Sequence, residues 1–174
     1  MTEYHSEPIP DIEGAIRLLS TPDVQLRQFI AYLLGQTGDR RAVEPLIQTL
    51  ADEHVGVRGA AANALGQLGD PQAVPYLWPL LQSDNAQLVI WAAFALTMLG
   101  HDQFDVLTSG LEATDVDVRR SAILAMEQLG DTRAIEPLLA LRDDDSKRFK
   151  TDSTVAEAVE RVLYNLGYGD GESP

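Results

Sequence analysis

The sequence predicts an all-α fold, a solenoid of five stacked helix pairs, and three observations predict it. Glycine closes a helix-like run at 38, 69, 100, 130 and 167, so the chain repeats with spacings of 31, 31, 30 and 37 residues. A period in this range marks stacked supersecondary units, none able to bury its apolar face alone. Within each unit two runs with helical spacing of apolar residues flank a short polar turn, and small residues recur in matching slots of the second run. The units span 11–38, 42–69, 73–100, 103–130 and 134–167 of a single domain. Residues 1–10 and 168–174, with the Gly, Pro, Ser and acidic content of unfolded segments, are expected to be tails.

The second unit shows the anatomy most plainly. Val43, Leu46, Ile47 and Leu50 share one helical face, and Pro45 stands early enough to be tolerated near a helix start. Ala51 to His54 form a polar turn. A second helix follows from Val57 to Leu68 with the stripe Val57, Ala61, Ala64, Leu65 and Leu68, and Gly69-Asp70 ends it with a left-handed cap. Ala61, Ala64 and Gly66 let neighbouring helices approach closely, and Ala92, Ala95, Ala122 and Ala125 hold equivalent slots in units three and four. Each second helix opens on a similar turn, beginning at Asp23, His54, Asn85, Asp115 and Asp152, and Asp and Asn are good helix caps. In the third unit Pro79 is interior enough to kink the first helix. In the fifth the turn lengthens over Asp143 to Asp152, and the polar outer face of its second helix, with Glu157, Glu160, Arg161 and Asn165, suits a capping repeat.

The Asp-x-x-Val-Arg turn, the Ala-x-x-Ala-Leu-Gly-x-Leu-Gly-Asp run at 61–70 and Ala-Val-Glu-Pro-Leu at 42–46 resemble HEAT repeats of the short kind named after phycobilisome lyases. The resemblance covers residues 11–167. It implies a right-handed superhelix whose second helices line a concave face, and it is shared by bilin lyase subunits, phycobilisome-degradation proteins, hydroxylases and adaptors.

Charge and composition exclude several classes. With 13 basic against 27 acidic side chains the net charge is −14, which repels a nucleic-acid backbone. The dense basic group Lys147, Arg148 and Lys150 is interleaved with Asp143, Asp144, Asp145 and Asp152. No apolar run approaches the ~18 residues of a membrane span, and the N-terminus lacks the regions of a signal peptide, so membrane insertion is not expected and a cytoplasmic location is. Zero cysteines leave no thiol nucleophile, disulfide or thiolate metal site. The imidazoles His5, His54 and His101 show no paired ligand spacing, and the repeated His-Glu pairs of HEAT-like hydroxylases are absent. No metal or cofactor and no catalytic residue is therefore expected.

Two sets of residues stand out. Arg27, Arg58 and Arg119 recur at the start of second helices, while Asp39, Asp70 and Asp131 follow the closing glycines. An inter-repeat ladder between them is expected, as the resemblance also implies, and anion binding is the competing role. The third unit lacks both partners, having Val89 and His101 instead. On the concave face the second unit presents Gly59, Ala60, Ala62 and Asn63, whereas the third presents Ile90, Trp91, Phe94 and Met98, the first Phe29 and Tyr32, and the fourth Ile123 and Leu124. These eight apolar residues are the candidate partner site, centred on Trp91 and Phe94; the competing reading places them in the core. The chain is accordingly expected to be a non-catalytic scaffold, adaptor or assembly factor holding another protein on its concave face. The alternative is a phycobilisome-associated factor or bilin lyase subunit whose groove cradles a bilin or its phycobiliprotein acceptor.

Overall fold

The computed structural model describes residues 11–144 and 154–168. Among them are ten α-helices and no strand: α1 (Ile12–Leu18), α2 (Val24–Gln36), α3 (Val43–Thr49), α4 (Val55–Leu68), α5 (Val74–Leu77), α6 (Ala86–Met98), α7 (Phe104–Leu111), α8 (Val116–Leu129), α9 (Ile135–Leu139) and α10 (Val155–Asn165). They form the five antiparallel pairs of an α-solenoid. The even-numbered helices stack on one another as an inner layer, each backed by the odd-numbered helix that precedes it.

Local chemistry sets the boundaries. All five closing glycines adopt positive φ, between 64° and 87°, the left-handed conformation that spares them a Cβ clash. The aspartate after the glycine turns the chain into the next layer: Asp39, Asp70 and Asp131 each accept the main-chain N–H two residues on and cap a short 3-10 turn that leads into the first helix. At the second helices Asp23, Asn85 and Asp115 accept main-chain N–H groups as N-caps. His54 holds the same position without a side-chain capping bond. In the third pair α5 ends at Leu77 and a 3-10 stretch, Trp78–Gln82, follows. Pro79 has no N–H to give the carbonyl of Pro75, so the α-helical ladder stops there.

The buried side chains form two clusters, one spanning the first three pairs and one the last three, with Leu81 and Trp91 packed against both. Close helix approach depends on glycine. A Cβ on Gly35 would lie 2.6 Å from Ala64 Cα, and one on Gly66 would lie 2.7 Å from Ala95 Cα, so α2, α4 and α6 meet nearly backbone to backbone.

The last pair departs from expectation in two details. Thr154, not Asp152, caps α10, through a capping box in which Thr154 Oγ1 accepts the Glu157 N–H and Glu157 accepts the Thr154 N–H. Tyr168, expected in the tail, belongs to the folded body: its N–H donates to the Leu163 carbonyl at 2.9 Å and its ring packs on the second cluster. The tails 1–10 and 169–174 and the stretch 145–153, with Lys147, Arg148 and Lys150, lie outside the described residues. No described helix is long and apolar enough to cross a membrane.

Candidate functional site: the concave groove

The expected arginine ladder exists in a different register. Arg27, Arg58 and Arg119 each turn back and donate Nη1 to the carbonyls six and five residues earlier, at Thr21 and Pro22, Asp52 and Glu53, and Ala113 and Thr114. Each arginine therefore clamps its own inter-helix turn. In Arg27 and Arg119 the remaining nitrogens reach the turn of the next layer. Arg27 grips Asp52 in a two-point contact at 2.8 and 3.0 Å, and Arg119 lies 2.9 Å from Asp144. Both carboxylates stand 25 residues beyond their arginine. At the matching distance from Arg58 the chain has Ser83, and among the described residues Arg58 makes the carbonyl contacts without a carboxylate.

The pairing with Asp39, Asp70 and Asp131 is thus corrected: those aspartates, already oriented as caps, pair with Arg41, Arg40 and Arg133. Arg40 to Asp70 (2.7 Å) and Arg133 to Asp102 (2.8 Å) still link successive layers, and Arg133 also covers the Phe104 ring at 4.3 Å. Burial pushes the Asp52 carboxyl up, but the hydrogen bonds from Arg27 and the His54 N–H outweigh it and hold the group below the ordinary carboxylate range. The Gln72 N–H and Arg40 do the same for Asp70, and Arg133 with the Phe104 N–H for Asp102. These arginines are committed to structure.

The eight candidate partner residues divide. Phe29, Tyr32, Met98 and Leu124 are exposed and Trp91 is half-buried, whereas Ile90, Phe94 and Ile123 are core. Ile90 packs against Gly110 of α7, and Ile123 belongs to the second cluster. Phe94 is buried by curvature. Gln67 Nε2 donates to Gln128 Oε1 at 2.7 Å, joining α4 to α8 across the face of α6, and Gln36 extends this bridge to α2 at 2.6 Å. Tyr32, Asn63, Phe94 and Leu124 share one repeat register, yet exposure falls from 47% at Tyr32 to 0% at Phe94 and rises to 40% at Leu124. In this register the concave face is closed at Asn63 and Phe94 and open at Tyr32 and Leu124.

The contrast between small residues in the second pair and large ones in the third is complementary packing. Phe94 Cε1 lies 3.2 Å from where a Gly66 Cβ would stand, and Trp91 Cδ1 lies 3.1 Å from that of Gly59. Trp91 and Phe94 meet edge to face, with centroids 6.0 Å apart. Expecting all these aromatics to await a partner overlooked the glycines that receive them.

What stays open is a groove of about 780 Å³. Phe29 and Tyr32 of α2 form one wall, Trp91 of α6 with Leu124 of α8 the other, and Gly56, Gly59 and Ala60 of α4 the floor. The polar lining consists of carboxamides, Gln25, Gln28, Asn63, Gln87 and Gln128, with no charged side chain among the lining residues. Gln25, Gly56 and Gln87 recur at the repeat spacing, a signal present in the sequence but overlooked beside the aromatics. Gln87 Nε2 donates to Ser121 Oγ at 2.9 Å, and Asn63 Nδ2 contacts Gln128 Oε1 at 3.4 Å. Asn63 is buried, and its Oδ1 accepts no hydrogen bond from the described residues. Among the described residues no group of three or more His, Asp or Glu is disposed to hold a metal ion.

The family model for HEAT repeats matches residues 12–97 and 90–160. No curated protein matches the chain significantly. Solved structures similar to it include two engineered proteins of the Northeast Structural Genomics Consortium. One is 22% identical over 90% of this chain and 79% of its own, with a TM-score of 0.48; the other is 19% identical over 89% and 80%, with a TM-score of 0.44. A third is the complex of CpcE and CpcF of phycocyanin lyase from Nostoc sp., 19% identical over 95% of this chain and 99% of its own, with a TM-score of 0.41.

Proposed function

The chain belongs to the HEAT-repeat family, and from that premise we propose that it is a non-catalytic scaffold that holds a partner protein in the groove on its concave face. One observation carries the reading: Phe29, Tyr32, Trp91 and Leu124, from three separate helices, converge on one trough and keep apolar surface exposed there although neighbouring side chains of the same register are buried. Exposed apolar surface gathered in one concavity marks an interaction site, and aromatic side chains are favoured anchors. The clamped arginines support it as well, because Arg27 is engaged by Asp52 of the next layer and Arg58 by the carbonyls of its own turn.

A protein suits this lining better than a bilin does. The two propionates of a bilin would be desolvated in a groove whose lining residues carry no charge. The test is affinity capture from the native host with the wild type and with a Phe29→Ala/Tyr32→Ala double variant. A protein retained by the first and lost by the second, at equal melting temperature, is the expected result. Equal recovery by both would refute the groove as the site. Visible absorbance that develops with phycocyanobilin and is abolished by the same double variant would favour the bilin.

A further inference from the structure

We propose that the occupant of the groove is an extended polypeptide segment, hydrogen-bonded through its main chain by the carboxamides of Gln25, Gln28 and Gln87 and bearing Lys or Arg at one end. This rests on the protein-binding reading above and narrows it. A carboxamide offers both a donor and an acceptor and so matches a peptide group, which offers the same two. Gln25 and Gln28 are exposed on one wall, and Gln87, anchored through Nε2 to Ser121, stands on the other. A helical partner has its main-chain groups paired internally and would bury these carboxamides without partners, at the cost of their desolvation; an extended segment supplies what they lack. Gly56 and Gly59 set the depth of the lining side chains: Gln28 Oε1 and Trp91 Cδ1 each lie 3.1 Å from where the respective glycine's Cβ would stand, so the carboxamide and the indole rest against the floor of the groove.

Charge indicates the end. Asp23, Glu53 and Asp84 are exposed and stand two or three residues before the groove-lining Gln25, Val55 and Gln87, where α2, α4 and α6 begin. Arg27 is buried in its contacts with Asp52 and the Thr21 carbonyl, 3.6 Å from Glu53, and Arg58 is held on carbonyls, so a net-acidic end faces the segment in a chain of charge −14. Complementary charge there sets orientation and speeds encounter.

A displayed library of random peptides of about twelve residues, selected on the full chain, tests the proposal. Binding is read by Trp91 fluorescence in a Trp78→Phe background, which leaves one tryptophan. The expected peptides are rich in Lys or Arg at one end and weaken as salt rises. Methylation of single main-chain nitrogens should cost tenfold or more at certain positions, and Gln28→Ala or Gln87→Ala should weaken the parent peptide while leaving the methylated one little changed. Peptides that bind as helices, ignore N-methylation and tolerate both glutamine variants, yet are lost with Phe29→Ala/Tyr32→Ala, would overturn this inference and leave the protein-binding groove standing. Peptides indifferent to the double variant, or an empty selection, would overturn both.

Discussion

Truncation of Phe94 to Ala removes a side chain with 0% exposure whose neighbours cannot close the gap. Gly66, against which Phe94 Cε1 rests, has no side chain to advance, and α4 and α6 already meet almost backbone to backbone at Gly66 and Ala95. The cavity therefore persists, and the loss should lie well inside the ~3–5 kcal/mol range of buried Phe→Ala changes. Taken as about 4 kcal/mol, it corresponds to a fall of about 8–16 °C in melting temperature for a chain of this size. Tyr32 occupies the same register two repeats earlier and is 47% exposed. Tyr32→Ala should cost within about 1 kcal/mol, as substitutions on an open surface do. Thermal melts followed by far-ultraviolet circular dichroism compare the two directly. Similar shifts for both, or a Phe94→Ala melt within 2 °C of wild type by the same measure, would return Phe94 to the open face and refute the role given to curvature.

Three further outcomes are expected. Arg27→Ala should lower the melting temperature more than Arg58→Ala, because only Arg27 leaves a carboxylate, Asp52, without its guanidinium; equal losses would show that the carbonyl clamp alone matters. Gly66→Ala should destabilise by about 1–3 kcal/mol through overpacking against Ala95, and an unchanged urea midpoint would contradict the near-contact of α4 and α6. Acid should unfold the solenoid through Asp52, Asp70 and Asp102. Their pKa values are depressed in the folded state, so their contribution is complete above the unfolded value of about 3.9 and disappears as pH falls through the lower folded values. The melting temperature should be level near neutrality and drop below about pH 4; a flat profile down to about pH 2 would exclude these pairs as contributors.

The fold was legible because its signals are local and repeated. Each closing glycine marks a positive-φ residue wherever it stands, and the alanine and glycine slots of α2, α4 and α6 state how near the helices come. The break in the third pair could be read at Pro79, since proline acts within its own turn. The site was half legible. Apolar residues facing inward were identifiable from spacing, but whether Phe94 or Tyr32 is covered depends on curvature accumulated over several layers, expressed in contacts such as Gln67 with Gln128. The ladder failed for a related reason: Asp39, Asp70 and Asp131 are bound to their own caps, and the partner of Arg27 lies in the next turn. The 25-residue spacing shared by Arg27 with Asp52 and Arg119 with Asp144 was the available clue.

Hydroxyl-radical footprinting of the chain, alone and with its captured partner, tests the central claim most directly, because it reads side-chain accessibility residue by residue. Alone, Phe29, Tyr32 and Met98 should be oxidised readily while Phe94 and Met126 are protected. With partner bound, Phe29, Tyr32 and Trp91 should become protected while Tyr164, exposed on the terminal helix, keeps its reactivity. Oxidation of Phe94 at the rate of Tyr32 in the free chain, or undiminished oxidation of Tyr32 in the complex, would contradict the account.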